Sequence, residues 1–215
     1  MEEAILQLFL KNVLQMKNNI IHYCNIKNSE VYLDGKKLYE GAGEEDFSSF
    51  IKGVYKNFNL DYPKFYKMDG LCKLAIASSS ILLEDLKDEI DPDMAILLSN
   101  KSSCIDVDLK HLDSISQGEE SYASPANFVY TLPNIALGEI SIKYKLRSEN
   151  SFFIFEGFNP TFMIEYANSL TQLNKASSVL CGWIELNENN YNAFMFIIKP
   201  ENGIEFTRKN LEKLI

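Results

Sequence analysis

Residues 151–166 read Ser151-Phe-Phe-Ile-Phe-Glu156-Gly157-Phe-Asn159-Pro160-Thr-Phe-Met-Ile-Glu-Tyr166. Phe152 to Phe155 form an apolar run of strand length. Glu156, Gly157 and Phe158 make a tight corner. Asn159 suits a helix N-cap and Pro160 the first helical position, where a missing N–H is harmless. The stretch therefore predicts a strand at 151–155 that turns sharply into a helix at 159–173. Corners of this kind often display a nucleophile, because a helix N-terminus favours negative charge. This one carries a glutamate and no Cys or Ser. A glutamate there also has a plain explanation, as a charge that suits the macrodipole and caps free amides.

Around this corner the pattern alternates between strand and helix. Residues 20–26 and 30–33 read as strands, with DGKK at 34–37 as a turn. GAGEED at 41–46 has two glycines but lacks the Lys-Ser/Thr of a phosphate-cradling loop, so it reads as a loop before an N-cap at Asp46. A helix at 46–57 follows, then a long one near 64–88. The middle of that helix, LCKLAIASSSILL, mixes large apolar residues with Ala and Ser on most faces and predicts burial on more than one side. MAILLSN at 94–100 is a short buried strand. SSCIDVDLKHLDSI feeds a short helix, and Pro125 and Pro133 each open one more. Strands at 177–186 and 191–198 close on the polar turn NENN, and a short charged helix ends the chain. Ile5, Leu6, Phe9, Val13 and Met16 recur at helical spacing and predict an amphipathic helix over 3–17. The reading is one α/β domain over 1–215, with 1–19 as a helical extension. Its mixed sheet lies between helical layers, with a hairpin on one edge.

Composition narrows the function. Of 215 residues, 46% are hydrophobic and 24% charged, enough apolar material for one core. A net charge of −9 argues against a nucleic-acid surface. No stretch approaches the ~20 apolar residues of a membrane span. Glu2 and Glu3 precede the first apolar segment, and Gln7 and Lys11 interrupt it, so it does not read as a signal peptide; the expectation is a cytoplasmic protein. The four cysteines, at 24, 72, 104 and 181, form no CxxC pair, and Cys72 and Cys181 sit in apolar runs as buried thiols. His22 and Cys24 share one strand face, but two ligands do not make a metal site, so none is expected, nor any cofactor.

Three phrases in order resemble the N-terminal half of a β-ketoacyl synthase of the thiolase-like superfamily. YPKFYKMDGLCKLAIAS resembles the family's first long helix, SPANFVYTLPNIALGEISIKYKLRSEN its Pro-rich entry to the active-site strand, and SVLCGWIEL the strand after the nucleophile helix. The resemblance runs over roughly residues 20–198 and is nearest to short synthase-like proteins built from this region alone. It implies half of the two-lobed thiolase fold, with a five-stranded mixed sheet and a largely buried helix at 68–86.

The family's nucleophilic cysteine sits at the elbow, which places it at Glu156 or Gly157 here; neither can attack a thioester. The family's two catalytic histidines belong to a second lobe absent from these 215 residues, and neither His22 nor His111 occupies a catalytic position. The resemblance thus implies a non-catalytic partner, like a chain-length factor, in fatty-acid or polyene/polyketide assembly on acyl carrier protein. It also implies a dimer, with itself or with a full ketosynthase, through Phe152, Phe153 and Phe155. Two alternatives stand beside it. Glu156 would hold or decarboxylate a malonyl-type thioester, or the chain is a stand-alone acyl-carrier or acyl-chain binder with a basic patch of Lys64, Lys67, Lys143, Lys145 and Arg147.

Overall fold

The computed structural model describes residues 17–43, 45–87, 89–116 and 122–215. The helix expected over 3–17 falls outside them, Lys17 excepted. The order is β1 (Asn19–Lys27), β2 (Glu30–Leu33), β3 (Lys36–Glu40), α1 (Phe47–Asn57), α2 (Gly70–Leu83), β4 (Met94–Asn100), α3 (Ile105–Ile115), α4 (Pro125–Tyr130), α5 (Asn134–Tyr144), β5 (Asn150–Ile154), α6 (Pro160–Gln172), β6 (Ser178–Asn187), β7 (Asn190–Lys199), β8 (Ile204–Glu205) and α7 (Arg208–Leu214). Local signals explain most boundaries. Asp46, Asp69, Ser124, Asn159 and Thr207 each accept a hydrogen bond from the first turn of the helix they open.

The strands form one mixed sheet in the order β3-β2-β1-β7-β6-β4-β5, with β8 pairing the start of β1. Strands β5, β4 and β6 run parallel, and every other pairing is antiparallel. The expected five strands are therefore eight. β5, β4, β6, β7 and β1 run consecutively, β2 and β8 are added beside β1, and β3 beside β2. Two of the additions were unreadable for different reasons. Only Asp34 and Gly35 make the expected turn, so Lys36 and Lys37 enter β3, a strand too polar to show as one. β8 is two residues long. The β6–β7 hairpin also does not lie on an edge. It occupies the middle of the sheet, because β1 comes back across the whole chain to pair with β7.

One face of the sheet packs against α1, α2, α5 and a 3-10 turn at Pro63–Lys67; the other packs against α6 and α7. The expected helix of 64–88 is broken. The 3-10 turn comes first, Asp69 then caps α2, and a second 3-10 turn follows at Glu84–Leu86. The burial foreseen for it is observed: of the 14 residues of α2, only Gly70 and Lys73 escape it. Ser78 and Ser79 tolerate the interior by bonding backward, Ser78 Oγ donating to the Leu74 carbonyl at 2.7 Å and Ser79 Oγ to the Ile76 carbonyl at 3.2 Å. All seven residues of β4 are buried, as suits a strand held between parallel neighbours. At Gly182 in β6, a Cβ would lie 2.8 Å from Met195 Cγ and 3.1 Å from the Phe194 carbonyl oxygen, so no side chain fits.

Candidate functional site: an elbow at the sheet edge

β5 is the last strand on its side of the sheet. Its ladder with β4 runs from Ile96↔Asn150 to Asn100↔Ile154, and the Phe155 N–H continues it by donating to the Asn100 carbonyl at 2.9 Å. The chain then turns through Glu156 and Gly157. Asn159 Oδ1 accepts from the Phe162 N–H at 3.1 Å and starts α6. Elbow, N-cap and helix are thus where the sequence placed them.

The cap belongs to Asn159 and not to Glu156. The Glu156 side chain is 97% exposed and meets Lys101 Nζ at 3.3 Å, a surface pair worth little. A Cβ at Gly157 would meet no heavy atom within 4 Å, so the corner is open to solvent. Phe158 turns inward, its ring edge-on to Trp183 at 6.4 Å and to Phe194 at 5.7 Å. Residues 155–161 and Arg208 line a shallow depression of 370 Å³. Behind it, Glu185 at the end of β6 accepts from the Lys101 N–H at 2.7 Å and ties β6 to the loop after β4. Nothing in the sequence marks Lys101 or Glu185 as neighbours of the elbow, since both approach through the sheet.

No cysteine lines the elbow's depression. All four cysteines are free and buried. Burial pushes every one of their thiols up, that of Cys104 to about 12, with the Asp69 carboxylate adding to the rise at Cys72 and Cys104. Protonated thiols are poor nucleophiles. His22 lies in β1 with Nδ1 2.7 Å from Asp34 Oδ2, and His111 packs beside Phe128 on α3. Among the described residues no group of three or more His, Cys, Asp or Glu is placed to hold a metal ion, and no helix is long and apolar enough to cross a membrane.

Alternation divides the phenylalanines. Phe153 and Phe155 stack at 6.0 Å on the α6 side, where Phe153 also meets Phe162 at 4.6 Å and Tyr166 at 5.5 Å. Phe152 packs into the opposite layer, and Ile154, not singled out in the sequence, is the outward residue at 49% exposure. Of the five basic residues, Lys64 and Lys143 have partners within the chain. Lys64 pairs with the buried Glu139, which also accepts from the Tyr62 hydroxyl at 2.8 Å. Lys143 donates to the Asp61 carbonyl and sits 5.4 Å from the Tyr62 ring and 5.5 Å from that of Tyr144. Both cations are engaged in holding α5 against the 3-10 turn. Lys67, Lys145 and Arg147 are exposed, and among the described residues no hydrogen bond or ion pair joins their side chains to that pair.

An elbow from an edge strand into a capped helix, on a parallel-to-antiparallel sheet of this order, can be compared with solved structures. The ishigamide ketosynthase/chain length factor superposes with a TM-score of 0.64 at 14% identity, over 85% of this chain and 62% of that one. The chain shares the ketosynthase and chain-length-factor fold. A ketosynthase in complex with its chain length factor from Xenorhabdus doucetiae gives 0.57 at 13% identity, over 87% of this chain and 80% of that one. A type II polyketide synthase acyl-carrier protein in complex with its ketosynthase gives 0.58 at 14% identity, over 92% and 64%. The chain thus spans less than two thirds of the length of the first and third of these. No protein-family profile and no curated protein matches it in sequence. The thiolase-like fold expected from the sequence is therefore found, at an identity that speaks for fold alone.

Proposed function

We propose that the chain is a non-catalytic, chain-length-factor-like partner in fatty-acid or polyene/polyketide assembly on acyl carrier protein. One observation carries the reading. The ketosynthase-like elbow is built in full, yet its corner holds Glu156, Gly157 and Phe158, while every cysteine is buried elsewhere. Covalent acyl transfer needs an activated nucleophile with a base in reach and a positioned oxyanion site, and the elbow offers none of these side chains. The decarboxylase alternative is less well supported, because Glu156 is solvated and not enclosed with a substrate. The carrier-binding patch is weakened by the engagement of Lys64 and Lys143.

In this reading β5 is the assembly surface. Among the described residues its outer backbone edge has no strand beside it, and exposed apolar edges invite pairing. The partner is a second copy, pairing isologously, or a complete ketosynthase. The test is incubation of purified protein with acyl and malonyl thioesters on carrier protein, alone and with a ketosynthase. The expected result is no condensation by the chain alone and no acyl adduct on its cysteines. An adduct on Cys24, Cys72, Cys104 or Cys181 that turnover requires would overturn the reading. A monomer at high concentration that binds no ketosynthase would favour the stand-alone binder.

A further inference from the structure

A second cavity lies away from the elbow and shares no lining residue with it. It is a cleft of 430 Å³ where the first turns of α1 and α2 meet α3 and the β6–β7 turn. Its walls are apolar at Phe47, Ile51, Leu109 and Leu186 and polar elsewhere. Three of the polar side chains have partners within the chain. Asp46 accepts from the Ser49 N–H at 2.7 Å, Asp106 from the Glu188 N–H at 2.9 Å, and Asn189 from the Phe47 N–H at 3.2 Å. Lys73 does not: among the described residues its ammonium makes no hydrogen bond and no ion pair, though it is only partly exposed.

Everything around Lys73 bears on its charge. It stands in the first turn of α2, the end of a helix dipole that disfavours a cation. Lys52 on α1 and Lys110 on α3 repel it. Asp69, which caps α2 and bonds the Leu71 and Cys72 N–H groups, attracts it, and the carboxylates of Asp46, Asp106, Asp113 and Glu188 line the same cleft. Burial outweighs Asp69, and the amine is held below the usual lysine range. The other lysine depressed by burial, Lys143, spends its ammonium on Asp61 and two tyrosine rings. Lys73 alone of the two faces an open cavity with a free amine.

We propose that Lys73 is an acylation site, whose amine takes acyl groups from small thioesters entering the cleft. The neutral Nζ adds to the thioester carbonyl carbon; the C–N bond of an amide forms and the C–S bond breaks. The thiolate leaves, and the proton lost by nitrogen passes to it or to water. No other reactant is needed. The cleft, not the elbow, carries this inference, so it stands or falls apart from the proposed function.

The test uses the full chain and S-acetyl-N-acetylcysteamine near neutral pH, with site-resolved mass spectrometry over time. Lys73 is expected to be acetylated faster than the exposed Lys36, Lys67 and Lys145, because the neutral fraction of an amine grows as its pKa falls. Its rate should level off at a lower pH than theirs. Lys52→Gln with Lys110→Gln, which removes the two like charges, should narrow the gap, whereas mere accessibility would leave it unchanged. A Lys73 rate equal to or below the exposed lysines in the wild-type chain overturns the proposal. So does an advantage that the double variant leaves untouched.

Discussion

The two edges of the sheet differ as if built under opposite instructions. β3 carries Lys36 and Lys37, both exposed, and Lys37 bridges Glu30 at 2.8 Å and Glu40 at 2.6 Å. Its pairing with β2 is irregular, the register shifting between Val31 and Tyr32. Charge and irregularity both discourage a further strand. β5 has neither. Asn150 to Ile154 contain no charge, the ladder to β4 is regular, and Ile154 stands outward beside the half-buried Phe152 and Phe153. A strand can be an edge in one chain and an interior strand in an assembly, and side-chain chemistry along it separates the two cases.

Three variants test this contrast. The largest effect is expected from Phe153→Lys. The ring contacts Phe155, Phe162 and Tyr166, so a lysine there should lower unfolding stability by about 2–3 kcal/mol as well as weaken association. Denaturant unfolding with light scattering would measure both, and unchanged stability would mean that the aromatic cluster does not form. Ile154→Lys is the cleaner cut. It should abolish self-association, or capture of a ketosynthase, while stability moves by no more than about 0.5 kcal/mol, as for other surface positions. If the Ile154→Lys protein still associates as the wild type does, β5 is not the interface. The smallest effect on folding is expected from Lys36→Thr with Lys37→Thr. Stability should again hold within about 0.5 kcal/mol, but concentration-dependent association should appear at the β3 edge. A double variant that stays dispersed would show that the irregular β2–β3 pairing guards this edge without the lysines.

Legibility followed the range of the interactions. The Asn159-Pro160 start of α6, the cap at Asp46 and the buried α2 were readable because capping and periodicity act within a few residues. Two elements failed for different reasons. β3 was missed because Lys36 and Lys37 hide a strand that only pairing with β2 reveals. The helix of 64–88 was drawn through Met68-Asp69, although Asp69 opens a new helix there. The partner of Lys64 was equally out of reach of local reading, since Glu139 lies 75 positions away.

By itself, the sequence determined that this protein is an α/β domain with buried free thiols. It also determined that a strand-to-helix elbow at 155–160 carries no thiol. Those properties rest on local backbone preference, on apolar periodicity and on which residue types are present at all. Tertiary structure decided the rest: that β1 crosses the chain to pair with β7 and puts the β6–β7 hairpin in the middle of the sheet, that β5 is an edge, that Ile154 faces outward while Phe153 is held by α6, and that Lys73 opens into a cleft. The physical reason is that strand order and burial are set by contacts between residues far apart in sequence. A strand's own residues state that it will pair and which of its faces is apolar, and they do not name the strand it will pair with.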